Sequence, residues 1–186
     1  MKNLLTISLL ISFFNCSSQT VVPLNAEIPA NVSISNYYFK DLDNVLNKFE
    51  GTWKYQNGNT SFTVKFVKKQ KVKVTDYYTD ELCGWYQYIE DGVEIVNTLP
   101  FTDNLRYITG SSVSADGTKI YRMFFEDPER PKASYFLTIK YNNNGMGNPP
   151  TIEWDVKLVG VSYKMEGEPN HLTSLRVPAI ITLTQQ

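Results

Sequence analysis

The sequence predicts an all-β protein: a single antiparallel meander β-barrel of about 8–10 strands behind one short N-terminal helix, with a β-sandwich as the alternative. Three observations carry this. From residue 51 onward apolar side chains recur with period two. Turn-forming dipeptides interrupt that period at short intervals, too short for the crossovers that parallel strands need. No second stretch has helical spacing after residue 49.

The helix is predicted over 41–49, where Leu42, Val45, Leu46 and Phe49 share one helical face and Asp41 can cap the first turn. Strands are predicted near 52–56, 61–67, 71–78, 82–89, 93–98, 105–112, 119–125, 133–141, 151–159 and 176–184. Phe62, Val64 and Phe66 alternate with Thr63 and Lys65, and Ile152, Trp154 and Val156 alternate with Glu153 and Asp155. One face of each such strand is apolar and the other polar. Asn57-Gly58, Asp91-Gly92, Asp116-Gly117 and the run 142–150 supply the turns. The basic run places Lys68-Lys69-Gln70 at a hairpin tip, with Lys65, Lys71 and Lys73 on its outer face, where lysine discourages edge pairing.

The chain opens with Lys2 and an eleven-residue apolar stretch at 4–14, too short to span a bilayer and patterned as a signal peptide over 1–15. Cys16, directly after it and before Ser17 and Ser18, resembles the bacterial lipoprotein box, which implies that Cys16 is lipidated and becomes the mature N-terminus. The expected location is the bacterial cell envelope, lipid-anchored at the outer membrane or the periplasmic face. The alternatives are simple cleavage to a soluble secreted protein and a retained anchor. Residues 16–40, with Pro23, Pro29 and many small polar residues, are expected to form a tether that orders near Tyr37-Tyr38-Phe39, leaving 41–186 as one domain.

Phe49-Glu50-Gly51-Thr52-Trp53, a helical turn leading through Gly-x-Trp into the first strand, resembles the start of lipocalin-like (calycin) barrels. The resemblance implies that Gly51 lets the chain turn tightly into the barrel, that Trp53 plugs the closed end, and that Arg176 covers it from near the last strand. The order of features also resembles a family of small flavobacterial lipoproteins of unknown function, which supports location and fold and supplies no functional residue. For Gly51, Trp53 and Arg176 a stabilising role is expected: a large buried aromatic is worth about 3–5 kcal/mol against alanine.

Composition narrows the function. With 18 basic and 19 acidic side chains there is no field to attract nucleic acid. One histidine and two cysteines exclude a disulfide scaffold and the usual zinc sites, and no cofactor is implied. Cys83 has no partner and reads as a small buried hydrophobe. A Cys83–His171 dyad has no support from spacing, His171 is expected to be exposed, and Glu153 and Asp155 read as a solvated strand face. Asp41-x-Asp43-Asn44 fails as a calcium loop, since Leu46 and Thr52 stand where glycine and glutamate are needed. The chain is therefore expected to be non-enzymatic.

Tyrosine is abundant. Tyr55, Trp85, Tyr86, Tyr88, Tyr107, Tyr121 and Tyr135 fall on predicted strands and are the candidate lining of a cavity for a small hydrophobic or amphipathic ligand, although tyrosines also fill β-protein cores. Gly84, inside a strand, marks a bulge, a bend or a close approach to the backbone, the bend being favoured. Two functions follow from the sequence: a monomeric envelope lipoprotein binding such a ligand inside its barrel, and a structural or interaction protein with a filled barrel and no ligand. The first predicts an open aromatic cavity, the second a packed interior with an exposed apolar patch.

Overall fold

The computed structural model describes residues 19–100 and 105–186. The leader and Cys16 lie outside the described residues. Among the described residues eleven strands form: β1 (Thr20–Pro23), β2 (Tyr37–Lys40), β3 (Gly51–Asn57), β4 (Thr60–Val74), β5 (Tyr77–Glu90), β6 (Val93–Asn97), β7 (Ile108–Gly110), β8 (Lys119–Phe125), β9 (Ala133–Asn142), β10 (Thr151–Val161) and β11 (Ile180–Gln185). Eight of them close a ring in the order β5-β4-β3-β11-β10-β9-β8-β7, and β7 returns to β5 through Leu82↔Gly110, Cys83↔Thr109 and Gly84↔Ile108. Every pairing around the ring is antiparallel, so the all-β meander barrel stands and a two-sheet sandwich does not.

The closing strand is short because β5 shares one edge among three partners. Its other edge pairs with β4 almost throughout, while this edge takes β2 at Tyr78 and Thr79, β7 at Leu82–Gly84, and β6 from Gln87 onward. Strands β1 and β2 fall in the segment expected to be a tether; they pair in parallel with each other and dock on β5. Phe39 against Tyr77 is an edge-on ring contact at 5.4 Å.

Two local expectations change. Only Val45–Phe49 is helical, as a 3-10 turn, where a helix over 41–49 was expected. Asp41 holds that turn from outside, accepting from the Val45 and Leu46 amides at 2.8 and 3.0 Å. The second change is in the lysine run. Lys68-Lys69-Gln70 is no hairpin tip: β4 continues through it to Val74, and the predicted strand 71–78 is divided between the ends of β4 and β5. A register shift between Lys69 and Val72 takes up the irregularity, with Lys71 at φ 53°. Side-chain carboxylates supply what the ladder loses there, Glu50 accepting from the Lys68 amide and Asp80 from the Lys71 amide at 2.8 and 2.9 Å.

Trp53, Phe62, Val64, Phe66, Leu82, Tyr86, Ile120, Met123, Leu137, Ile139, Ile152 and Trp154 are buried inward. Lys65, Glu153 and Lys157 face out and are exposed. This is the reverse of the apolar exterior of a membrane-spanning barrel. Gly84 has a packing cause rather than a bend: a Cβ there would lie 2.8 Å from the Phe66 ring and 3.2 Å from the Ile108 Cβ. What comes close to the backbone is the neighbouring phenylalanine.

Candidate functional site

The two ends of the barrel are closed differently. At the Gly51 end, glycine at φ 110° turns the chain from the 3-10 helix into β3. Trp53 is fully buried there, its indole N–H donating to the Phe49 carbonyl at 2.8 Å and its ring standing edge-on to Tyr141 at 6.2 Å. Phe49 meets the same tyrosine, and the Lys48 ammonium lies over both rings at 5.6–5.7 Å.

Arg176 is not part of this base. Strand directions alternate around the ring, so the C-terminal end of β8 lies opposite the start of β3. Arg176 sits beyond that β8 end, in a double contact with the buried Asp127 carboxylate, 2.9 Å from Glu129 and donating to the Ile95 carbonyl at 3.0 Å. It ties the segment before β11 across the far mouth to the β8–β9 loop and to β6. The Tyr135 hydroxyl and the Trp154 indole donate to the Thr173 and Pro178 carbonyls of the same segment at 3.0 and 3.1 Å.

Between these ends the aromatics pack on one another. Phe62 contacts Tyr86, Tyr88 and Trp154 with centroids 6.2, 6.1 and 5.0 Å apart, and Phe125 contacts Tyr86, Trp154 and Tyr135 at 4.8, 5.7 and 6.0 Å. The chain of rings crosses the lumen from β4 and β5 to β8, β9 and β10. An eight-strand barrel is narrow enough for side chains alone to fill it. The Tyr86 hydroxyl also donates to the Glu126 carbonyl at 2.9 Å, and burial pushes it well above the usual tyrosine range.

The candidate lining residues do not form one group. Tyr86, Tyr88 and Tyr135 are buried in the core, with Tyr55 and Tyr107 packed against its edges. Trp85 is buried on the outer face, where its indole donates to the Leu105 carbonyl at 2.8 Å. Tyr121 is 40% exposed, its hydroxyl donating to the Val113 carbonyl at 3.2 Å. Beside Trp85 on that outer face, Glu81 pairs with Arg106 and lies 3.4 Å from the Cys83 sulfur. Burial, with the Glu81 charge, pushes the Cys83 thiol up to about 12, so it is protonated and inert at neutral pH. His171 is not exposed as expected: its side chain retains 12% exposure and faces Glu168 at 3.8 Å, not Cys83.

The basic run is also partly absorbed. Lys68 pairs with Asp41 at 2.7 Å, and the Lys71 ammonium lies over the Tyr38 and Tyr78 rings. Among the described residues no group of three or more His, Cys, Asp or Glu side chains could hold a metal ion, and no helix is long and apolar enough to cross a membrane.

What the sequence reasoning missed is the free end of β10. Strand β11 pairs with it only from Thr151 to Asp155, while β9 pairs on to Val161. Among the described residues no strand pairs with the second edge of 157–161, and Leu158, Val159 and Val161 there are 47%, 50% and 46% exposed. Tyr163, Met165 and Ile180, on the segments that follow β10 and open β11, are exposed as well. The signal was in the sequence: Leu158-Val159 puts two apolar residues in succession, breaking the alternation where the structure shifts register between Leu158 and Gly160.

The chain belongs to DUF6705. This is a family of unknown function, and its model matches residues 1–186. No curated protein and no solved structure matches this DUF6705 chain at a significant level.

Proposed function

We propose that this DUF6705 chain is a non-enzymatic cell-envelope lipoprotein, anchored through Cys16, whose filled barrel is a rigid platform for contact with another envelope protein along the free edge of β10. The exposed edge is the observation that carries this reading. A strand end with unpaired backbone groups and apolar side chains at half exposure is a template for a partner's strand, and Lys157 is the one charge on it that discourages indiscriminate pairing. The packed lumen favours this over a ligand held inside the barrel, because the aromatics a ligand would touch already touch each other. The anchor rests on the apolar stretch at 4–14 followed by Cys16.

A photo-crosslinking residue in place of Val159, expressed in the native host, tests the contact. The reading expects a discrete adduct that is lost when Leu158 and Val161 are both changed to lysine and that does not form from Thr138, on the outer face of β9. Adducts of equal yield from both positions, or none from 159, would reject it. Metabolic labelling with a fatty-acid probe tests the anchor: label is expected on the wild-type chain, and label persisting in Cys16→Ala would exclude it.

A further inference from the structure

Gly51 of β3 pairs with Phe66, so the β4–β5 hairpin runs on past the Trp53 base to its turn at 75–76. Strands β2 and β1 lie parallel to β5 on this extension, with Tyr38 beside Tyr78 and Thr20 beside Tyr37. The Thr20 amide donates to the Asn36 carbonyl at 3.2 Å and the Asn36 amide to the Asp76 carbonyl at 3.1 Å, which fixes the start of β1 at the hairpin turn. The free edge of β10 is at the other end: Thr151 pairs with Thr184 and Thr184 with Lys54 near the base, which puts 157–161 towards the far mouth.

One face of the extension is basic. Val21, Tyr38, Tyr78 and Lys73 are successive register partners across β1, β2, β5 and β4 and share that face. Lys40, two residues after Tyr38, is on it as well, and the Lys71 ammonium joins it 5.8 and 5.5 Å from the Tyr38 and Tyr78 rings. Lys40, Lys71 and Lys73 are exposed, as is Val21 at 51%, and among the described residues none of the three lysines forms an ion pair. The carboxylates at this end do not cancel them. Asp80 is 1% exposed and accepts from the Tyr38 hydroxyl and from the Asp41 and Lys71 amides, Asp41 pairs with Lys68, and Glu81 pairs with Arg106, which leaves the exposed Asp76 on the turn.

We propose that this face lies on the anionic phospholipid headgroups of the bilayer that holds Cys16, with the β10 edge presented away from the membrane; the inference rests on the acylation of Cys16 proposed above. Four residue steps separate Cys16 from Thr20, about 14 Å at full extension, so an acylated Cys16 holds the hairpin end at the bilayer surface. An acyl anchor and a basic patch act together as two membrane signals, and each lysine brought to an anionic surface is worth about fivefold in partition.

Lysine acetylation read by peptide mass spectrometry is the test. The protein is purified from its native host in detergent and reconstituted into vesicles of phosphatidylcholine, alone or equimolar with phosphatidylglycerol. Lys40, Lys71 and Lys73 are expected to react about fivefold slower on the anionic vesicles and to recover at high salt, while Lys132 and Lys157, towards the far mouth, react alike on both. In the double variant Lys71→Gln with Lys73→Gln, Lys40 should lose most of its protection. The same spectra report the N-terminal peptide. Cys16 without acyl chains would overturn the anchor and this orientation with it. An acylated Cys16 with equal reactivity of Lys40, Lys71 and Lys73 on the two vesicle types, or with protection at Lys132 and Lys157 instead, would overturn the orientation alone.

Discussion

The Tyr38 hydroxyl donates to the Asp80 carboxylate at 2.6 Å, and both groups are buried. The same carboxylate accepts from the Asp41 amide at 3.0 Å and the Lys71 amide at 2.9 Å. One aspartate thus fixes β2, the entry to the 3-10 helix and the irregular stretch of β4. Asp80→Ala strands three donors and should cost about 3 kcal/mol or more, whereas Tyr38→Phe removes one and should cost about 1.5 kcal/mol. Urea denaturation compares the two. Hydrogen exchange should show the amides of β2 losing protection in Asp80→Ala before those of β4 in the barrel wall.

Alkaline pH should weaken the fold from a defined onset. The folded state raises the Cys83 thiol from 9.0 to about 12, chiefly by burial, and the Tyr38 hydroxyl from 10.0 to about 12, by burial and the bond to Asp80. Between the unfolded and folded values the unfolded chain has lost these protons and the native state keeps them. The unfolded state then binds fewer protons, and stability falls as pH rises. The melting temperature should be flat up to about pH 8 and fall from about pH 9 towards 12. In Cys83→Ala the decline should begin near pH 10 instead. An unchanged onset in that variant would show that the thiol is not the first group to titrate.

Arg176 and Asp127 close the far mouth as a pair. Removing the arginine leaves a 3% exposed carboxylate without its partner, so Arg176→Ala should cost about 3–5 kcal/mol. The double variant Arg176→Met with Asp127→Asn should recover part of that loss. A double-mutant cycle in urea checks this; strict additivity would mean that the two side chains act independently.

Trp53→Ala should cost about 3–5 kcal/mol, through a cavity at the Gly51 end and an unpaired Phe49 carbonyl. Chemical denaturation measures it, and a cost below about 1 kcal/mol would mean that the base is not packed as described.

Much of the wall was legible in the sequence, because half-buried strands advertise themselves by alternation. β8 falls at 119–125 as predicted, and β3, β6, β9 and β10 lie within a few residues of their predicted places. Three features were not legible, each for a physical reason. The lysine run looked like a turn because nothing in residues 68–70 shows that the Glu50 and Asp80 side-chain carboxylates would accept from the amides of the run from elsewhere in the chain. β1 and β2 are held by pairing to β5 rather than by any period of their own. Arg176 was placed by resemblance at the Trp53 end, whereas Asp127, whose carboxylate decides its position, carries no local signal of burial. Tyr107 falls just outside β7 while the other tyrosine candidates lie on strands as read, but alternation gives only a side of the wall. Whether a side chain meets space or another ring depends on which strand stands opposite.

Closure of the wall depends on the shortest strand, since β7 contributes three residues to the seam with β5. Native-state hydrogen exchange by NMR reads this directly at the amides of Ile108–Gly110 and of Leu82–Gly84. A closed, filled barrel requires the hydrogen-bonded amides of the seam to exchange only through global unfolding, with the same protection free energy as Val64 and Ile139 in the wall. Exchange at the rate of the surrounding loops would mean an open sheet, and the rigid platform would be lost with it.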